Sequence, residues 1–331
     1  MKYFITTYGC QMNRSDSERI AADLENKGWK SASKIDGANL IVVNMCSVRQ
    51  SAVDRVFGIS QKLSKLKSQN SNLKTTLTGC ILKKDRVKFR KIFDDLKPQP
   101  WLSYYVKPKY QSNTRAYIPI SNGCNNFCTY CVVPYTRGPL VCRGPKEILK
   151  EAREAIKKGF KEIWLLGQNV NDYYPIPFAE LLRKVAAIPG DFQIRFTSPY
   201  PMSFSDELID LMANSKKVAK YLNLPVQSGD NKILRKMNRP YTVEQYKKLV
   251  KKIRKRIPNI NLSTDVIVGF PGETKKQFEN TVKLFKEIKF NMAYIAKYSP
   301  RSGTAAFQLK DNVSLGEKKR REKCLRNLLS S

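Results

Sequence analysis

Three cysteines fall within eight residues of the stretch Asn122-Gly123-Cys124-Asn125-Asn126-Phe127-Cys128-Thr129-Tyr130-Cys131. A C-x3-C-x2-C loop can wrap its sulfurs around one compact centre, and thiolates favour zinc, copper(I) or iron–sulfur clusters. An apolar run, Tyr117-Ile118-Pro119-Ile120, leads into it, and Gly123 permits a tight turn before the first thiol. A structural zinc takes four ligands from Cys and His. The chain has no His. The next thiol is Cys142, so an all-thiolate zinc site would be oddly spaced. A cubane held by three thiols leaves one iron open for a small molecule. Unrelated buried thiols are the plain alternative.

A length of 331 residues fits two domains, and 41% hydrophobic content is enough for sizeable cores. No stretch approaches the ~20 apolar residues of a membrane span. The N-terminus, Met1 to Cys10, reads as a strand and not as a signal peptide. No membrane association and a cytoplasmic location are therefore expected, and there thiols stay reduced. Eight cysteines in that setting point to metal or redox work. Lys and Arg number 61 against 28 Asp and Glu, a formal charge of +33, which favours a nucleic-acid partner.

Over residues 1–112, three apolar segments each run into a cysteine: Lys2–Thr7 into Cys10, Asn39–Met45 into Cys46, and Lys74–Gly79 into Cys80. The intervals match βαβ units, with helical patterns at Asp16–Leu24 and Ala52–Leu66 between them. Three parallel strands with adjacent carboxyl ends follow, and ligands bind at that edge of open α/β sheets. The spacing thus predicts a second metal centre at Cys10, Cys46 and Cys80. Lys83–Lys91 reads as a basic helix. Lys97–Ser112, with Pro98, Pro100 and Pro108, reads as a linker, and the domain boundary is placed near 112.

Residues 113–331 alternate strand and helix. Strands are predicted at Ala116–Ile120, Glu162–Leu166, Gln193–Thr197, Tyr221–Leu224, Asn261–Val268 and Met292–Ala296. Helices are predicted at Lys146–Lys158, Phe178–Ala187, Ser205–Asn214, Val243–Arg256 and Lys275–Glu287. The fold class is α/β: an N-terminal parallel-sheet domain, then a partial (β/α)6 barrel with its site at the strand ends. Polar and glycine-rich strand ends suggest a cofactor pocket, with Gln168, Gln227, Ser228 and Gly269 as candidate contacts. The basic helix Val243–Arg256 suits a solvated face as well as a phosphate-binding one. Cys142 and Cys324 read as structural or exposed thiols.

The Cys124–Cys131 loop resembles the signature of radical S-adenosylmethionine (SAM) enzymes. Thr7-Tyr8-Gly9-Cys10-Gln11-Met12-Asn13, Asn44-Met45-Cys46-Ser47-Val48-Arg49 and Gly79-Cys80 resemble the three cysteine motifs of the methylthiotransferase family within them. Cys131–Gly138, Leu166–Val170, Thr264–Thr274 and Tyr298–Thr304 resemble its catalytic half, and Gln11-Met12-Asn13, Val133-Pro134-Tyr135-Thr136-Arg137-Gly138 and Gln168-Asn169 resemble the MiaB-type branch. The resemblance implies two [4Fe-4S] clusters: Cys124, Cys128 and Cys131 would hold the SAM-cleaving one, and Cys10, Cys46 and Cys80 an auxiliary one carrying sulfur. One SAM would methylate that sulfur, and a second would yield the 5′-deoxyadenosyl radical that takes hydrogen from adenine C2. The implied product is 2-methylthio-N6-isopentenyladenosine beside the tRNA anticodon, with tRNA and a flavodoxin- or ferredoxin-type reductant as partners. Neighbouring branches would act on threonylcarbamoyladenosine in tRNA or on a small-subunit ribosomal protein. A metal-containing RNA-binding protein without turnover is a third reading. The family usually ends in an RNA-binding TRAM domain, and this sequence stops before one. Tyr200 and Asn223 stand where the family usually has His.

The charge excess predicts tRNA binding that weakens steeply with salt. Filter binding at 50 and 200 mM salt should differ by about 10³-fold or more if six or more phosphates are neutralised. Equal retention at both would exclude an electrostatic docking surface.

Overall fold

The computed structural model describes residues 1–48, 50–98, 104 and 106–330. Arg49 of the second cysteine motif, and residues 99–103 and 105 of the expected linker, lie outside the described residues. Two compact units emerge. The first comprises Met1–Asn125 and Val132–Phe160, and the second Asn126–Cys131 and Lys161–Ser331.

The first unit runs β1 (Lys2–Tyr8), α1 (Gln11–Asn26), β2 (Lys30–Ser31), β3 (Leu40–Cys46), α2 (Gln50–Gly58), α3 (Ser60–Gln69), β4 (Lys74–Cys80), α4 (Lys83–Phe89) and β5 (Asp95–Pro98). It continues through β6 (Arg115–Pro119), β7 (Ser121–Asn122), α5 (Val133–Arg137), β8 (Val141–Cys142) and α6 (Pro145–Lys157). Its parallel sheet has the order β2-β1-β3-β4-β5, so the three strands that lead to Cys10, Cys46 and Cys80 are neighbours, as their spacing predicts. Strand alternation sends Ile41, Val43, Met45 and Leu77 to one face, against Val53, Val56, Leu63 and Phe89. Val42 goes to the other, against Ile20 and Leu24 of α1. A parallel sheet covered on both faces needs such apolar strands. The linker expected from Lys97 begins instead inside β5, where Pro98 is tolerated because the strand is an edge.

The unit extends past the boundary expected near 112 because α1 is polar and buried. Ser15 Oγ donates to the Tyr117 carbonyl at 3.1 Å, and Arg19 pairs with Glu151 at 2.6 Å, which also pairs with Arg143 at 2.8 Å. The periodicity of α1 reads as an ordinary amphipathic helix, yet Asp16, Glu18 and Arg19 are all buried.

The second unit continues the alternation of a partial (β/α)6 barrel with five of the six expected strands; the sixth, β6, belongs to the first unit. Its elements are β9 (Glu162–Leu166), α7 (Phe178–Ala186), β10 (Gln193–Phe196), α8 (Asp206–Asn214), β11 (Tyr221–Asn223) and α9 (Asn231–Lys236). They continue with α10 (Val243–Arg256), β12 (Asn261–Val268), α11 (Lys275–Ile288), β13 (Met292–Lys297) and α12 (Leu315–Ser330). β9 pairs β10, and β12 pairs both β11 and β13, all parallel. Side-chain caps set the helix starts: Ser205 for α8, Asp230 for α9, Thr242 for α10 and Thr274 for α11. Four cations of α10 are engaged within the unit: Lys247 with Glu287, Lys252 with Asp206, Arg256 with Asp210, and Arg254 with the Lys289 carbonyl. The basic stripe is thus partly a self-neutralised face.

Glu18 is 1% exposed; one oxygen accepts from the Gln111 amide at 3.0 Å and the other has no partner. Burial pushes its carboxyl from the ordinary 4.5 up to about 7, against the opposing pull of that amide and of Arg19. The folded chain therefore binds this proton more tightly than the unfolded one, so stability falls as pH rises from 4.5 to 7 and the penalty is complete above that. Glu18→Gln should raise stability at pH 8 by up to about 3 kcal/mol and leave it unchanged at pH 4, measured by urea unfolding at both.

Candidate metal centres

Parallel pairing places Cys46 directly opposite Cys80 at the carboxyl ends of β3 and β4. Tyr8 is opposite Met45, so the chain leaves β1 at the same level, and Cys10 stands at the entry to α1. The three sulfurs interact. Cys46 faces Cys80 across the paired strands, and Asn13 joins Cys10 to Cys80: its Oδ1 accepts from Cys10 Sγ at 3.4 Å and its Nδ2 lies 3.9 Å from Cys80 Sγ. Cys46 and Cys80 are buried, and Cys10 keeps access to solvent. Within the pair, the neighbouring Cys80 and burial push Cys46 up, and the neighbouring Cys46 helped by Arg137 pulls Cys80 down. Desolvation and the Cys80 sulfur raise Cys10.

A buried amide network holds this rim. Asn13 accepts from the Cys10 amide at 3.2 Å and donates to Asn44 Oδ1 at 2.9 Å. Asn44 returns a bond to the Asn13 carbonyl at 2.8 Å and donates to Ser17 at 2.9 Å. The glycine before Cys80 is required: Gly79 has φ +108°, and a Cβ there would sit 2.0 Å from the Met45 carbonyl oxygen. Arg137, at the end of α5, donates Nε–H to Cys80 Sγ at 3.0 Å and Nη2–H to Asp16 at 2.7 Å.

Among the described residues, no three Cys, Asp or Glu close around a single metal ion. Three converging thiols without a fourth protein ligand suit an iron–sulfur cluster with an open iron better than tetrahedral zinc.

In the Cys124–Cys131 loop all three thiols are half-buried. Gly123 has φ +80° and no room for a Cβ beside the Pro139 carbonyl, and the Cys124 amide donates to Gly138 O at 3.3 Å. Residues 126–131 pack within the second unit. Thr129 donates its amide to Met237 O at 3.1 Å and its hydroxyl to Lys236 O at 2.8 Å, and its carbonyl accepts from Ala306 N. Asn238 Nδ2 donates to the Phe127 carbonyl at 3.1 Å, holding that residue at φ +46°. Arg239 Nη1 lies 3.5 Å from Cys128 Sγ, and its guanidinium lies over Tyr200, 4.4 Å from the ring centroid.

Of the strand-end residues, Gln168 is half-buried with Oε1 unpartnered. Gln227 has φ +70° and bridges to β12 through Asp265 and Ile267. Ser228 Oγ accepts from Asp230 N, and Gly269 N donates to Glu273 at 2.6 Å. The contacts of Ser228 and Gly269 thus hold the loops themselves. Asn223 donates to Asp265 at 2.7 Å. Cys142 lies on β8 opposite Ser121, and Cys324 on α12. Sequence reasoning named Arg137 and Asn13 only as parts of motifs. Polar residues beside each cysteine were the available signal.

Residues 118–285 match the Radical SAM superfamily, and residues 2–97 match Uncharacterized protein family UPF0004. The fold and the thiol loop accordingly define a radical SAM protein. A tRNA-2-methylthio-N(6)-dimethylallyladenosine synthase of Carboxydothermus hydrogenoformans is 39% identical over 96% of this chain and 81% of its own. One from a Thermoanaerobacter species is 41% identical over 94% of this chain and 74% of its own. The chain belongs to this family of tRNA-2-methylthio-N(6)-dimethylallyladenosine synthases. In fold it is similar to the radical SAM methyltransferase TsrM of Kitasatospora setae, solved with cobalamin and a [4Fe-4S] cluster. The TM-score is 0.68 at 14% identity, over 92% of this chain and 77% of that one. It is also similar to the cobalamin-dependent radical SAM enzyme OxsB, with a TM-score of 0.63 at 11% identity, over 99% of this chain and 56% of that one.

Asn13→Ala should strip an acceptor from the Cys10 amide and a donor from Asn44. A loss of about 2–4 kcal/mol is expected from two buried groups left unpaired, read from the urea midpoint.

Proposed function

We propose that this chain is a radical SAM methylthiotransferase that adds a methylthio group to C2 of N6-isopentenyladenosine, next to the tRNA anticodon. The observation that carries the reading is the convergence of Cys10, Cys46 and Cys80 on one sheet rim, in a chain that also carries the C-x3-C-x2-C loop. Cys124, Cys128 and Cys131 would hold the cluster that binds SAM, and the rim triad the auxiliary cluster. When bound, these groups supply the electron that cleaves SAM and the sulfur that is inserted, chemistry no ordinary acid–base side chain provides.

The chain's own residues position and shield. The Asn13–Asn44 pair fixes the rim, with Asn13 anchoring the Cys10 amide. Asn238 and Arg239 clamp the second half of the loop. Gln168 and Gln227 are the candidate polar contacts to SAM; Ser228 and Gly269 would act by shaping the strand-end turns. The first compact unit carries the auxiliary site, the second the greater part of the barrel. A flavodoxin- or ferredoxin-type protein is the proposed electron donor, and the cytoplasm the proposed location; among the described residues no helix is long and apolar enough to cross a membrane.

Anaerobic reconstitution should give about 8 irons per chain, falling to about 4 in both Cys46→Ala and Cys128→Ala. Cys128→Ala should form no 5′-deoxyadenosine from SAM and dithionite. Mass spectrometry of tRNA nucleosides should reveal loss of the methylthio-isopentenyladenosine peak when the gene is deleted. An unchanged peak would remove this substrate.

A further inference from the structure

We infer that Arg137 is a positioning residue for the auxiliary cluster, holding Cys80 by a directed N–H···S bond and raising that cluster's reduction potential. The inference rests on the proposed reading of Cys10, Cys46 and Cys80 as cluster ligands.

The guanidinium is 2% exposed. Every edge of its planar fork is engaged. Nε meets Cys80 Sγ at 3.0 Å, Nη2 meets Asp16 at 2.7 Å, and Nη1 meets Asn122 Oδ1 at 2.9 Å. Asn122 in turn donates to the Arg137 carbonyl at 3.1 Å, which fixes the backbone that carries the fork. Gly138, at φ +79°, ends α5 right behind it.

An ion pair with Asp16 alone would account for a buried arginine. It does not account for the orientation of Nε, which points away from the carboxylate at a sulfur. A lysine could neutralise Asp16, but its point charge lacks the rigid fork that reaches carboxylate and sulfur together. Asp16 opposes the cation's long-range field at Cys80, while the N–H dipole acts directly on the sulfur. Hydrogen bonds to ligand sulfurs are among the factors that set cluster potentials. Reduction adds negative charge to the cluster and its thiolates. The Arg137 bond then strengthens, which favours the reduced state.

The segment that supplies this residue is telling. Arg137 lies six positions after Cys131, so the chain leaves the C-x3-C-x2-C loop and goes straight on to furnish a hydrogen bond to the other triad.

The test uses the full chain with Cys124, Cys128 and Cys131 changed to Ala, so that only the rim triad can hold iron. This parent is compared with versions carrying Arg137→Met or Arg137→Lys. All three should bind about 4 irons. In EPR-monitored redox titration, the ratio of reduced to oxidised cluster at a fixed potential should drop roughly tenfold in both Arg137 variants, the size expected for one charge-assisted bond. An unchanged midpoint in Arg137→Met overturns the role of Arg137. A parent that binds no iron overturns the reading of the triad itself. As a measurement that needs no Arg137 variant, the reduced parent labelled with 15N-arginine should display a nitrogen hyperfine coupling in ENDOR. Its absence also overturns the inference.

Discussion

The register between β3 and β4 is the constraint on which the site depends. A parallel ladder leaves no freedom once Leu40 faces Lys74, and six residues later Cys46 must face Cys80. A slip of one residue would turn every side chain to the opposite face. It would exchange the Ile41–Val43–Met45 set with Val42, separate the two sulfurs and break both hydrophobic layers at once. The apolar core thus specifies the geometry of the thiols. The glycine before Cys80 completes the arrangement by letting the strand end pass close to the Met45 carbonyl.

Around that rim the protein accepts an unusual amount of buried polarity. Asn13, Asn44, Ser17, Asp16 and Arg137 are all buried, each with a partner. Satisfied networks of this kind specify one arrangement, whereas removing one member of a buried ion pair typically costs about 3–5 kcal/mol. Such a network behaves as a unit. Changes in Asp16 or Asn122 should therefore be felt at Cys80, two contacts away, through the guanidinium they share.

Much of this was legible in the sequence. The strands that lead to Cys10, Cys46 and Cys80 come from apolar runs at βαβ intervals, and all three lie adjacent in the sheet. The barrel strands fall within a residue or two of their predicted limits, because each is an apolar run bounded by polar turns. What was hidden depends on tertiary partners. The helix Asp16–Leu24 gave no sign that its acidic residues are buried, since Arg137 and Gln111 are distant in sequence. The short α9 escaped periodicity, although Asp230 is a serviceable cap signal. A helix expected over Ala52–Leu66 is divided in two at Ile59. Ser228 and Gly269 stand out in the sequence as members of polar, glycine-rich strand ends, and their bonds to Asp230 and Glu273 within those loops could not be read there.

The division of the chain into interleaved units bears on how it emerges from the ribosome. The first unit is not complete when its sheet has been made, for it needs Arg137 on α5 and Glu151 on α6, which are synthesised only after the thiol loop. The loop itself waits longer still. Thr129 is secured by Lys236, Met237 and Ala306, so its anchoring partners are translated more than a hundred residues behind it. Contacts so remote in sequence close late. The segment that carries Cys128 and Cys131 is therefore among the last parts of the nascent protein to settle.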